Sequence, residues 1–178
     1  MEFKSLNDYV LEKELGSGNF GKVYKAKRKT DGKTIALKVI NIPDNKKFLI
    51  KTTQDEINTL KTLADPTCNP FVICYYDSYY NPYDNIFIIE MELVEGKDMI
   101  SFIEKVWAND TKEEMIYYYL LLIAKDVLRG LKYTHEKGII HNDIKLENIM
   151  IDKNNVPRII DYGLSCTMEK PGNFCRTK

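Results

Sequence analysis

Within eight residues, His141-Asn142-Asp143-Ile144-Lys145-Leu146-Glu147-Asn148 gathers a carboxylate, an ammonium and an amide, and Asp161-Tyr162-Gly163 begins thirteen residues after Asn148. Phosphoryl transfer from ATP needs such a set: a carboxylate for a hydroxyl proton, a lysine for a phosphoryl oxygen, and an amide and second carboxylate for magnesium. Asp143 would orient the acceptor hydroxyl and take its proton late in a loose transition state, where positioning outweighs basicity. Lys145 would neutralise charge on the transferring γ-phosphoryl, and Asn148 and Asp161 are oxygen donors of the hard kind Mg2+ prefers. Taken alone, an Asp-x-x-x-x-Asn segment is more often a polar turn. The rest of the chain decides the matter.

Upstream, Gly16-Ser17-Gly18-Asn19-Phe20-Gly21-Lys22-Val23 lies between two expected strands, where glycines let backbone amides approach phosphates. A strand-to-helix setting would point to a dinucleotide fingerprint; here a second strand follows, which fits a flap over ATP phosphates. An ordinary glycine-rich hairpin is the plain alternative for this motif by itself. Seventeen residues after Gly21, Ile35-Ala36-Leu37-Lys38 ends an apolar run on an ammonium, which needs an anionic partner. Glu56 on the following helix can supply it and fix Lys38 against the α- and β-phosphates. Singly, each residue would be read as solvated; their order and spacing reverse that.

The elements that must position these groups follow from patterning. Strands are expected over 9–15, 22–28 and 34–40, the last two joined through Asp31-Gly32, a strong hairpin signal. Apolar Ile57, Leu60 and Leu63 mark a helix over 48–63 stopped by Pro66. Two more strands are expected over 72–79 and 86–92, and then, past a polar break, helices over 99–107 and 113–136. In the last, Ile116, Leu120, Ile123, Val127, Leu131 and Thr134 recur at helical spacing, and Gly138 is a natural stop. A strand-rich half precedes a helical half.

With 178 residues the chain can bury a core as one domain or two small lobes. Lysine plus arginine balances aspartate plus glutamate at 26 each, so no global charge favours nucleic acid or an anionic membrane. Cys68, Cys74, Cys166 and Cys175 form no CxxC pair, and with only two histidines they are expected to be reduced structural thiols. The longest apolar run, 115–124, is far short of the roughly 20 residues a spanning helix requires, and no apolar signal core opens the chain. A soluble, intracellular (cytoplasmic) protein is expected.

In the order and kind of these motifs, the chain from residue 9 to about 178 resembles the amino-terminal part of a eukaryotic-type protein kinase of the serine/threonine kind. The resemblance implies an α+β, bilobal fold: an antiparallel-sheet N-lobe with one helix over 1–92, a hinge at 93–97, and an incomplete helical C-lobe over 98–178. It implies a nucleotide flap of Leu15, Gly16, Ser17, Gly18, Asn19, Phe20, Gly21, Lys22 and Val23, the Lys38–Glu56 ion pair, Met91 as gatekeeper, and Glu92 to Val94 as the adenine-binding hinge. Val23, Ala36 and Met150 would sandwich the adenine, and Leu60, Tyr75, His141 and Tyr162 would form the regulatory spine. ATP, Mg2+ and a protein substrate with a serine or threonine hydroxyl are the implied ligands.

Three departures matter. Asn142 replaces the arginine that in this family grips a phosphate on the activation loop, and an asparagine has no charge to do so. Activation is therefore expected not to depend on phosphorylation there: Thr167→Ala and Thr177→Ala should retain phosphotransfer, and its loss with ATP binding intact would sink the idea. Tyr162 replaces phenylalanine and adds a hydroxyl that wants a partner. Lastly, the chain stops inside the activation segment, without the closing Ala-Pro-Glu, the peptide-docking loop or the large helices below the catalytic loop. Apolar surface would then meet water, and a partner chain, a truncated gene or a crippled remnant each explains this. A non-catalytic nucleotide-binding or interaction module, and a kinase of small molecules, stand beside the protein kinase reading.

Overall fold

The structure, a computed structural model, describes residues 4–18, 21–43, 45, 48–108 and 113–168. Asn19, Phe20, Cys175 and Thr177 lie outside the described residues. The chain divides into two units: Met1–Ala64 with Cys74–Leu93, and Asp65–Ile73 with Val94–Lys178.

The first unit is a five-stranded antiparallel sheet, β1 (Tyr9–Gly18), β2 (Gly21–Arg28), β3 (Thr34–Asn41), β4 (Tyr75–Asn81) and β5 (Ile86–Met91), in the order β1-β2-β3-β5-β4, with helix α1 (Phe48–Ala64). β3 is buried on both faces from Ile35 to Ile40, which is why its sequence reads as an apolar run rather than an alternation. Directly paired residues share a face, so Ile35, Leu37 and Val39 point one way with Ile86 and Ile88 into a core closed by Tyr9 and Ala26. Ala36 and Lys38 point the other way. The β2–β3 turn is the expected one, with Gly32 left-handed at φ +71° and Asp31 Oδ1 accepting from Lys33 N at 3.0 Å.

A charged cluster that sequence reasoning did not anticipate lies on the Leu37 face. The Glu90 carboxylate is fully buried, 2.6 Å from Arg28 Nη2 and 3.3 Å from Lys4 Nζ, and it accepts from the Tyr9 hydroxyl. Burial pushes the Tyr9 phenol up, and the bond to Glu90 adds to this. The residues before β1 are thereby buttoned onto the sheet; a one-turn 3-10 helix there, Leu6–Asp8, is capped by Ser5.

In the second unit, α2 (Met99–Ala108) and α3 (Glu113–Glu136) accompany short strands: β6 (Gly96–Asp98), β7 (Ile139–Ile140), β8 (Ile149–Asp152), β9 (Pro157–Ile159) and β10 (Cys166–Thr167). β6, β8 and β9 form one antiparallel sheet, and β7 pairs with β10. α3 buries Ile116, Ile123, Val127 and Thr134 as the spacing predicts, while Leu120 and Leu131 are half-buried. Gly138, left-handed at φ +71°, ends it.

Two expectations change. Residues 72–74 do not extend β4: Val72 bridges Ile159 and Ile73 N donates to the Ile159 carbonyl at 3.0 Å, which places these two in the second unit, while Cys74 stays with the first. Apolar character alone cannot say which sheet a segment joins. Cys68, Cys74 and Cys166 are disulfide-bonded rather than reduced, because sequence spacing does not report which sulfurs a fold brings together. Among the described residues, no helix is long and apolar enough to cross a membrane.

Candidate functional site

Each unit carries part of the expected set. In the first, Lys38 on β3 lies opposite Val23 on β2 and Ile89 on β5, and Ala36 lies opposite Met91, so Val23, Ala36, Lys38 and Met91 share one face of the sheet. α1 buries Leu49, Thr53, Glu56, Ile57 and Leu60 along a single stripe, and Glu56 Oε1 meets Lys38 Nζ at 2.6 Å. Both side chains are more than nine-tenths buried. Ion pairing offsets a desolvation cost that neither charge could bear alone.

The glycines of the flap differ in what they require. A Cβ on Gly21 (φ +135°) would overlap the Val39 carbonyl, so that position needs glycine for β2 to approach β3. At Gly16 and Gly18 a Cβ would meet nothing. The fold itself does not demand glycine at these two positions, and open space lies over their backbone. Leu15 is half-exposed and Lys22 pairs with Glu14 across the hairpin at 3.0 Å. Glu92 continues from β5, its N–H bonded to the Cys74 carbonyl.

In the second unit, the loop after β7 gathers three of the expected groups. Asp143 Oδ2 accepts from Lys145 Nζ at 2.8 Å and from Asn148 Nδ2 at 2.9 Å, and Asn148 Nδ2 also donates to the Asp143 carbonyl. The Lys145 hydrogen bond holds the Asp143 carboxyl below the usual carboxylate range, with the Asn148 bond adding to it, and in return raises Lys145. Asp143 therefore remains ionised through the neutral range. The Asn148 amide nitrogen is occupied twice by Asp143, which leaves the amide oxygen as the end that Asp143 does not engage.

His141 sets the geometry of this loop from below. It is 1% exposed; its Nε2 lies 3.0 Å from the Ile160 carbonyl, and its Nδ1 accepts from Asp143 N at 3.2 Å. Both contacts together require the neutral ring with the proton on Nε2. Burial lowers the His141 pKa in the same sense. Below about pH 6.5, the ordinary histidine value, the unfolded chain takes up a proton that the folded chain refuses. The stability His141 lends is present above that pH and is lost as pH falls through the lowered folded value. Urea unfolding should show a steeper loss between pH 7.5 and 5.5 in the parent than in His141→Gln; equal slopes would contradict this assignment.

Asp161 is reached through its neighbour. Ile160 N donates to the Asn148 carbonyl at 2.9 Å while the Ile160 carbonyl meets His141, so the backbone entering Asp161 is fixed to the loop after β7 on both sides. Asp161 is exposed and left-handed at φ +61°, with Gly163 N 3.4 Å from its Oδ1. Tyr162, 1% exposed, packs its ring 4.5 Å from that of His141. Its added hydroxyl finds the Thr134 Oγ1 at 3.1 Å. Because Thr134 gives its own proton to the Gly130 carbonyl, the tyrosine is the donor, and burial pushes its pKa up to about 12. Spacing alone places Thr134 in an apolar stripe; a hydroxyl at a core-facing position is the sequence signal for this bond.

Among the described residues no cluster of three His, Cys, Asp or Glu side chains could cage a metal alone. One amide oxygen and one carboxylate, Asn148 and Asp161, suit Mg2+, which keeps several waters and phosphate oxygens and needs few protein ligands. Met150 and Val94 are both half-buried in this unit.

The family profile described as Protein kinase domain matches residues 9–178. The chain is 37% identical over 179 residues to the probable serine/threonine-protein kinase fnkE of Dictyostelium discoideum, covering 94% of this chain and 13% of that protein. It is 33% identical over 162 residues to Protein kinase 3 of the same organism (90% and 16%), and 34% identical over 152 residues to the MAP kinase kinase kinase SSK2 of Saccharomyces cerevisiae (84% and 9%). The chain spans less than a third of the length of the curated relatives it matches.

Proposed function

Because this chain belongs to the protein kinase domain family, we propose that it transfers the γ-phosphate of ATP to serine and threonine hydroxyls of proteins. In this reading residues 1–92 are the N-lobe, 93–97 the hinge and 98–178 part of the C-lobe. The observation that carries it is the Asp143 carboxylate held by Lys145 and Asn148, an arrangement built to present an ionised oxygen to an incoming hydroxyl.

Lys38, fixed by Glu56, binds the α- and β-phosphates, and the open backbone at Gly16 and Gly18 approaches them. Val23, Ala36 and Met150 pack against the adenine, and backbone groups of Glu92 to Val94 read its edge, with Met91 limiting the depth beside it. Asp143 orients the acceptor hydroxyl and takes its proton as the acceptor oxygen bonds to the γ-phosphorus and the bond to the β-phosphate oxygen breaks. Lys145 offers positive charge to the phosphoryl group in flight. Asn148 and Asp161 would hold Mg2+, which when bound neutralises phosphate charge.

The test is transfer of labelled γ-phosphate, with magnesium, by residues 1–178 to a generic serine/threonine substrate. Transfer is expected. A folded chain that binds ATP without transfer would favour the second reading, a nucleotide-binding or interaction module. One observation supports that alternative: α3 leaves Leu121, Tyr118 and Leu128 between 61% and 70% exposed, an apolar face of the kind that a partner chain covers.

A further inference from the structure

Asn142 stands immediately before Asp143 with a left-handed backbone, φ +64°. Its amide nitrogen donates to the Leu164 carbonyl at 3.2 Å and to Cys166 Sγ at 3.3 Å. Cys166 is disulfide-bonded, so its sulfur carries no proton and acts only as acceptor. The stretch held in this way continues into the β10–β7 pairing, Cys166 opposite Ile140 and Thr167 opposite Ile139, and Met168 N donates to the Gly138 carbonyl at 2.7 Å. Ser165 Oγ donates to the Tyr162 carbonyl at 2.6 Å, tying the same stretch to the residue after Asp161. None of these contacts involves a charge.

We propose that Asn142 is a positioning residue whose side-chain amide holds residues 164–168 against the catalytic loop, and thereby keeps Asp161 in register with Asp143 without any phosphate on the segment. This rests on the kinase reading above. The arginine that the resemblance implies in this place would pair with a phosphate on the segment; the Asn142 amide, with two neutral acceptors already in range, needs none. Left-handed backbone by itself would be met by glycine, and asparagine tolerates it too. The two acceptors are what call for the amide.

Two substitutions separate these requirements. Asn142→Gly keeps the backbone conformation and removes the side chain, whereas Asn142→Asp keeps shape and backbone preference but sets a carboxylate oxygen against the Leu164 carbonyl. Amide hydrogen exchange at Met168 should accelerate about five- to twentyfold in both, the effect of losing one or two neutral hydrogen bonds, while amides of β3 stay unmoved. In parallel assays kcat should fall roughly fivefold or more with the KM for ATP nearly unchanged. Unchanged exchange in both variants overturns the tether. Faster exchange with kcat intact overturns the positioning role and leaves only local packing. If the parent transfers no phosphate, the kinase reading fails and the positioning role with it, while the exchange result still decides whether the tether exists.

Discussion

Asp143→Ala is expected to lower kcat for phosphotransfer by about a hundred- to ten-thousandfold, the range for losing a positioned proton acceptor, with ATP affinity changed by no more than a few fold. Two physical losses coincide. The oxygen that would orient the acceptor hydroxyl disappears, and Lys145 and Asn148 each lose a bond to Asp143 Oδ2. Asn148 keeps its second bond, to the Asp143 main-chain carbonyl, so the amide should remain turned as it is and nucleotide binding should survive. Asp143→Asn sharpens the test: it preserves shape and an acceptor oxygen but removes the charge that pairs with Lys145, and its kcat should fall almost as far. Label transfer by either variant at the parental rate would refute the assignment of Asp143. Loss of ATP binding in both would instead mean that the substitution had unmade the loop.

How much of this was legible beforehand depends on the range of the interaction. Asp143, Lys145 and Asn148 are five residues apart at most, so a short loop ending in the 3-10 turn Leu146–Asn148 brings them together without help from distant segments. Lys38 and Glu56 were legible for another reason: both sit in elements with strong periodicity, and a buried ammonium on an apolar strand creates a demand that only a few carboxylates can meet. The Glu90 cluster was not legible, since Lys4 and Tyr9, Arg28 and Glu90 come from three separate stretches of the chain and each looks solvated in isolation. The short strands β6 to β10 were missed because two to four residues are too few for an alternation to show. Asn142 was legible as a missing charge but not as a donor; its acceptors, Leu164 and Cys166, are more than twenty residues away.

Glu56→Ala should cost roughly 3 kcal/mol in the stability of the first unit and nearly all phosphotransfer, and the two losses have different causes. The carboxylate is the charge partner of a buried lysine, and removing one member of such a pair leaves an ammonium in a medium that solvates it poorly. Stability alone would not show a catalytic role, because any cavity in α1 could do the same. The double substitution Lys38→Met with Glu56→Leu resolves this, since apolar residues of similar volume replace a buried ion pair at little or no cost. That variant should unfold in urea within about 1 kcal/mol of the parent and still transfer no phosphate, because the ammonium proposed to bind the α- and β-phosphates is gone. A stable double variant that kept its kcat would show the pair to be a structural filler on β3 and α1. A double variant as unstable as Glu56→Ala would show that packing around the pair, rather than the stranded charge, carries the cost. Only restored stability with absent transfer fits a pair retained for its charge on the nucleotide.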